Sequence, residues 1–306
     1  MRIVMTGGTG FVGEGLVPEL LRAGHEVVLL SRGPVRRVPE GVTMLQWDGE
    51  HGGEWERAVD GADAVVNFAG ESIGHRWTSA RKQRIRASRQ NATCAIVEAI
   101  RKARQKPSVL VNASAVGYYG NIDEGEVTET FPPGKDFLAE TCHLWETAAL
   151  GARESGVRVV LLRTGVVLGK GGDALHRMML PFRFFVGGTI GSGRQWFPWV
   201  HRDDLVRAVL FVIGTPALSG PVNVTSPAVV RMRDFCSDLG KAMHRPSWAP
   251  APAFMLRMIL GEMSAMILGG QCVVPTALLG HGFTFTHADL REALQDVVLP
   301  EVPAGL

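Results

Sequence analysis

Two short stretches hold the residues best suited to chemistry. The first, TGGTGFVG from Thr6 to Gly13, satisfies two glycine spacings together, Gly8-x-Gly10-x-x-Gly13 and Gly7-x-x-Gly10-x-x-Gly13. Glycines at these intervals allow a tight turn, let the main chain touch a pyrophosphate, and open a helix whose free N–H groups and dipole favour an anion. Gly7, Gly10, Phe11, Val12 and Gly13 are therefore the expected dinucleotide cradle. The second stretch, SAVGYYG from Ser114 to Gly120, contains Tyr118 and Tyr119, the only two tyrosines of the chain. A phenol beside a serine can exchange a proton with a carbonyl or hydroxyl, so Ser114, Tyr118 and Tyr119 are the catalytic candidates. The competing reading is that the two rings only pack their loop.

Other residues refine the cofactor. Chains that select NAD usually carry Asp or Glu about 20 residues beyond the glycine motif. Here the second apolar run ends LLSR, Leu29 to Arg32, with no carboxylate. Ser31 and Arg32 suit a 2′-phosphate instead, which points to NADP(H). NFAG, from Asn67 to Gly70, ends the fourth run, and small residues there let Phe68, Ala69 and Gly70 pass close beneath a ribose and adenine. Between Arg76 and Lys106 ten Lys or Arg face a single acid, Glu98. The segment shares a helix with a buried face and no aromatic run follows it, so a solvated basic face is favoured over nucleic-acid binding. Arg89 is expected to reach the cofactor phosphates. Glu71, Glu140 and His201 are further acid–base candidates.

Positioning these groups requires a sheet. RIVMT (2–6), EVVLL (26–30), TMLQW (43–47), AVVNFA (64–69), SVLVNAS (108–114) and VRVVLLR (157–163) alternate with helical patterns near 11–24, 54–60, 79–105 and 136–155. Such alternation predicts an α/β fold, a Rossmann-type doubly wound parallel sheet covered by helices on both faces. Residues 1–168, with return segments near 187–226, would form the cofactor domain. Segments 169–186 and 227–306 would form a smaller, mainly helical C-terminal lobe that shapes a substrate pocket. Within it Met255, Met258, Ile259, Met263, Met266 and Ile267 recur at helical spacing, read as core or subunit packing.

Composition narrows the partners. With 306 residues, 46% hydrophobic and 20% charged, the chain can bury a large core, and its net charge of +2 gives no global pull toward nucleic acid or an anionic membrane. The longest apolar stretch, 249–270, is broken by Arg257 and Glu262 and predicts no membrane span. MRIVMTGG runs straight into a strand pattern without a secretory leader, so a cytoplasmic protein is expected. Cys94, Cys142, Cys236 and Cys272 lie far apart with no metal-ligand spacing, which predicts reduced, mostly buried thiols and no metal.

TGGTGFVG, NFAG, NASAVGYYG and the later LRTGVVLG together resemble the extended short-chain dehydrogenase/reductase family, which includes sugar-nucleotide epimerases and dehydratases. NFAGESI, RWTSARKQRIRASR, DFLAETCHLWE, WFPWVHRDDL and GEMSAMILGGQCVVPTALLGHGF look like its uncharacterised atypical branch, the epimerase family with a C-terminal domain of unknown function. The resemblance implies a Rossmann domain that binds NADP(H), a C-terminal substrate lobe, and dimerisation through the helices at 79–105 and 136–155. In active relatives a Ser or Thr after the fifth strand works with a Tyr-x-x-x-Lys pair, whose lysine lowers the tyrosine pKa. Ser114 matches the first requirement, but Leu138 and Cys142 stand where the tyrosine and lysine would be. Two functions remain open: an oxidoreductase or epimerase-like enzyme acting on a small carbonyl or hydroxyl compound, sugar nucleotides included, through a substitute acid, or a non-catalytic NADP(H)-sensing protein.

Overall fold

The computed structural model describes residues 1–33 and 40–298, so the last eight residues of the expected C-terminal lobe lie outside it. β1 (Arg2–Thr6) leads into α1 (Phe11–Arg22), followed by β2 (Glu26–Ser31), β3 (Val42–Gln46) and β4 (Ala64–Asn67). Then come α2 (Ser79–Lys102), β5 (Val109–Ala115), a short β6 (Glu126–Val127), α3 (Phe137–Leu150), β7 (Arg158–Thr164) and β8 (Val166–Leu168). The chain continues through α4 (Asp173–Arg183), β9 (Trp196–Phe197), β10 (Trp199–His201), α5 (Arg202–Gly214), β11 (Gly220–Val224), β12 (Val230–Arg231) and α6 (Met232–Ala242). It finishes with α7 (Ala253–Leu260), α8 (Ser264–Leu268), β13 (Cys272–Val273), α9 (Thr276–Gly280) and α10 (Leu290–Val298).

Seven strands form one parallel sheet in the order β11-β7-β5-β4-β1-β2-β3. The strands are apolar on both faces because both are covered. Ile3, Met5, Val111 and Leu162 point to the α1 and α5 side, while Val4, Val65, Leu110 and Leu161 point to the α2 and α3 side. On α2, Ile85, Ala92, Ile96 and Ala99 form the buried stripe that their spacing predicts. Thr78 caps this helix by accepting from the Arg81 amide at 3.2 Å, and Asp136 caps α3 by accepting from the Ala139 amide at 2.9 Å. Strand order reverses between β1 and β4, which opens a crevice at the carboxyl ends of the strands.

The later segments close over that crevice. A separate core of Leu175, Phe182, Phe235, Leu239, Leu290 and Leu294 joins α4, α6 and α10. The chain at 270–274 grips the loop after β5: the Gly270 carbonyl accepts from the Ile122 amide at 3.0 Å, and Gln271 donates to the Val116 carbonyl. The methionine stripe is split: Met263 is buried beside Trp77 and Ile85, whereas α7 has no buried residue and Met258 is 70% exposed. Of the four thiols, Cys142, Cys236 and Cys272 are buried and Cys94 is exposed. Among the described residues no helix is long and apolar enough to cross a membrane.

Candidate functional site

The glycine loop follows β1 and has no room for a Cβ at Gly7, Gly8 or Gly13, while one on Gly10 would stand 3.3 Å from the Gly7 carbonyl oxygen. Gly7 has φ +69°, and a Cβ there would stand 2.7 Å from the Phe68 carbonyl oxygen. A Cβ on Gly13 would lie 2.4 Å from the Gly7 carbonyl oxygen. The loop therefore brings bare backbone to the start of α1, where the amides of Phe11, Val12 and Gly13 precede the first intrahelical bond. The Phe11 ring is walled by Gly169 and Gly172 and has the Arg202 guanidinium 5.3 Å from its centroid.

The neighbouring strand ends are tied by polar groups under the loop. Thr6 Oγ1 donates to Asn67 Oδ1 at 2.7 Å and accepts from the Phe68 and Ala69 amides, each at 3.1 Å. Asn67 Nδ2 donates to Asn112 Oδ1 at 2.7 Å and to Thr93 Oγ1 at 2.9 Å. Trp145 donates to the same threonine at 2.9 Å. This network spans β1, β4, β5, α2 and α3, and it fixes Phe68, Ala69 and Gly70 against Gly7. Arg89 arrives from α2, donating to the Glu71 and Ile85 carbonyls at 3.1 Å, and a Cβ on Gly70 would sit 3.2 Å from its guanidinium carbon. Burial lowers the Arg89 pKa from its ordinary value. At the far end, Ser31 Oγ donates to the Gly33 carbonyl at 3.0 Å and Arg32 is exposed along Gly49.

The three acid–base candidates meet different surroundings. Ser114 is 5% exposed, and its hydroxyl donates to Glu146 Oε1 at 2.6 Å. Glu146 in turn receives two bonds from Arg163, at 2.9 and 2.8 Å. The Arg163 guanidinium also donates to the Tyr119 hydroxyl and the Glu129 carbonyl, each at 3.0 Å. Burial works against the Arg163 charge, yet the bidentate carboxylate more than offsets it and leaves its pKa raised. Tyr119 is 2% exposed and donates to Asn223 Oδ1 at 2.5 Å, while burial pushes its hydroxyl up to about 12. Asn223 extends the network to the lobe by donating to the Val274 carbonyl at 2.9 Å. Tyr118 differs: it is half-buried, stacks edge-on against Tyr119, and has the Arg163 guanidinium 3.5 Å from its ring centre.

Leu138 packs on Gly117, and Cys142 is buried with its thiol pushed up to about 12 by burial, so neither supplies an acid or base at this point of α3. Glu71 pairs with Arg81 at 3.5 Å and Arg84 at 3.3 Å, and Glu140 pairs with Arg86. Lys82 meets Glu262 at 2.6 Å and Lys102 meets Glu56 at 3.0 Å, so carboxylates from other elements neutralise much of the basic helix. His201 is buried and its Nδ1 accepts from the Asp203 amide at 3.2 Å, which makes it the cap of α5. Its ring stacks on His287 with centroids 3.8 Å apart, and burial lowers its pKa.

A family model described as the NAD dependent epimerase/dehydratase family matches residues 3–224. The chain belongs to this family. Residues 251–297 match a second model, a domain of unknown function, DUF1731. The chain is 42% identical to epimerase family protein YfhF of Bacillus subtilis, over 97% of this chain and 98% of that one. It is 41% identical to the chloroplastic SDR39U1 homolog of Arabidopsis thaliana, over 97% and 87%. Among solved structures, the human epimerase family protein SDR39U1 with NADPH superposes with a TM-score of 0.88 at 35% identity, covering 97% of this chain and 99% of that one. Thermus thermophilus UDP-glucose 4-epimerase shares the fold at a TM-score of 0.78 and 23% identity, covering 97% and 98%.

Sequence reasoning missed Thr6, Asn67, Thr93, Asn112, Glu146 and Arg163. A signal existed for the last: an arginine inside the apolar run VRVVLLRT must find a buried partner or leave the sheet.

Proposed function

We propose that this member of the epimerase/dehydratase family binds NADP(H) and transfers hydride to or from a small carbonyl or hydroxyl compound. The observation that carries the cofactor assignment is the glycine cradle itself: close packing of bare backbone leaves no room for a Cβ at Gly7 or Gly13 and presents the free amides of the first turn of α1 to a pyrophosphate. Amides of Phe11, Val12 and Gly13 hold the phosphates, Phe68 to Gly70 line the adenine and ribose side, and Arg89 adds a cation. Exposed Arg32, with Ser31 and no carboxylate beside it, takes a 2′-phosphate and so prefers NADP(H) to NAD. The NADPH in the human relative supports the same choice.

When bound, the nicotinamide supplies or accepts the hydride; this chain must supply the proton. Tyr118 is the better donor of the two tyrosines, since the Tyr119 hydroxyl is engaged on both sides by Asn223 and Arg163. Ser114, with its proton directed at Glu146, can accept a hydrogen bond from a substrate hydroxyl but cannot donate without exchanging that bond. Residues 1–168 and 187–226 hold the cofactor in this scheme, and the lobe closes the substrate side.

A second reading rests on the same network. With Ser114 and Tyr119 both saturated in a buried ion-pair cluster, the site is also suited to binding NADP(H) without turnover, as a sensor. Titration of the protein with NADPH, followed by absorbance at the reduced-nicotinamide band across a panel of aldehydes, ketones and sugar nucleotides, separates the two. The enzyme reading expects oxidation that Tyr118→Phe slows by about a hundredfold, with NADPH affinity intact. Stoichiometric binding with no oxidation in any member of the panel leaves the sensor reading standing.

A further inference from the structure

The lobe exposes large apolar side chains on two segments joined by the stretch from Trp248 to Pro252. At the end of α4 the turn Phe184–Phe185–Val186 is exposed at 70, 54 and 52%. Phe185 has φ +61°, a left-handed conformation that a bulky side chain adopts at an energetic cost and that usually falls to glycine or asparagine. Trp248, 68% exposed, lies against this turn and donates its indole N–H to the Phe185 carbonyl at 2.9 Å, so its ring is free to enter an apolar medium. From Trp248 the chain runs beside Gly187 to Gly191 and delivers α7, with Phe254 and Met258 exposed at 71 and 70%. A water-facing surface of this kind marks an interaction site.

Charge selects the partner. The sequence has no Asp or Glu from 174 to 202 or from 239 to 261, yet these segments hold Arg177, Arg183, Arg194, Arg202, Lys241, Arg245 and Arg257. Arg177 and Lys241 have carboxylate partners in Asp173 and Asp238. Arg183, Arg245 and Arg257 are exposed, have no ion-pair partner among the described residues, and lie at the end of α4 just before the apolar turn, over Phe185 and on α7. The Arg245 guanidinium covers the Phe185 ring at 4.5 Å. Aromatic and methionine side chains interleaved with unpaired arginines match an anionic bilayer surface, where the apolar groups enter below the headgroups and guanidinium groups meet phosphate.

We propose that the face formed by the Phe184–Val186 turn, Trp248 and α7 docks this protein peripherally on an anionic lipid surface. The local excess of basic residues overrides the near-neutral net charge of the whole chain. This docking does not depend on the reaction proposed above.

Co-sedimentation of the full chain with vesicles tests it, using phosphatidylcholine alone and with about 30% phosphatidylglycerol. The expected result is at least a tenfold increase in bound protein on the anionic vesicles, falling as salt is raised. F254D/M258D and R183E/R245E should each lose that increase while keeping the unfolding temperature and NADPH affinity of the parent. Equal binding to both vesicle types, or anionic binding retained by both folded variants, overturns the proposal. A drop in oligomeric mass caused by F254D/M258D, with no vesicle binding by the parent, assigns the face to a second copy instead.

Discussion

On the β1–β2 side of the crevice, the groups proposed to meet a cofactor come from residues 6 to 13 and the two strand ends beside them, and most are backbone amides. On the β5–β7 side the polar groups are side chains drawn from Ser114, Tyr119, Glu146, Arg163 and Asn223, five positions on five elements that meet only when the sheet forms. The first region works by excluding side chains, the second by saturating them. The contrast teaches that a loop defined by missing Cβ atoms tolerates almost no change, whereas an ion-pair cluster can be exchanged as a unit but not in parts.

The largest expected effect is on the saturated side. Glu146→Gln leaves Arg163 buried without its carboxylate and should destabilise the fold by about 3–5 kcal/mol, seen in denaturant unfolding. The double replacement Glu146→Leu with Arg163→Met should recover most of that loss; if the double variant is worse than the single one, the cluster does more than hold the lobe. On the backbone side, Gly13→Ala should weaken NADPH binding by about a hundredfold or more in a titration, because the new methyl meets the Gly7 carbonyl. Arg32→Ala is a finer probe: losing one charge-assisted contact should cost about 10- to 100-fold in NADPH affinity and leave NADH affinity unchanged. Equal losses for both cofactors would show that Arg32 serves the fold of the loop rather than the 2′-phosphate.

The smallest effect concerns pH. His201 has a folded pKa below its ordinary 6.5, so the unfolded chain binds its proton first as pH falls. Its contribution to stability is complete above about pH 6.5 and is lost as pH drops through the lower folded value. A stability profile from pH 8 to 5 should decline in that window. His201→Asn, which can still cap α5, should flatten the decline.

Much of this was legible from one dimension. The parallel sheet follows from apolar runs of five to seven residues separated by helical spacing, since a strand buried on both faces has nowhere else to go. The glycine loop and the LLSR ending are legible because each is a contiguous rule about backbone space or charge. Ser114 was located by its place at the end of the fifth strand, yet its orientation toward Glu146 was not foreseeable, because the partner lies 32 residues away and its approach depends on how α3 packs. The doublet Tyr118–Tyr119 looked symmetrical in sequence. In the fold the 3-10 turn at Val116–Tyr119 sends one ring into the core beneath Asn223 and leaves the other half-buried over Arg163.

The amino-acid sequence by itself determined the sheet, the glycine loop and the placing of Arg32 after β2, since these depend on local sterics and on residues close along the chain. Only the tertiary structure decided which hydroxyls are free, and that α7 lies outside the core. Both outcomes turn on long-range packing, where a carboxylate or an apolar neighbour from a distant segment either reaches a group or does not.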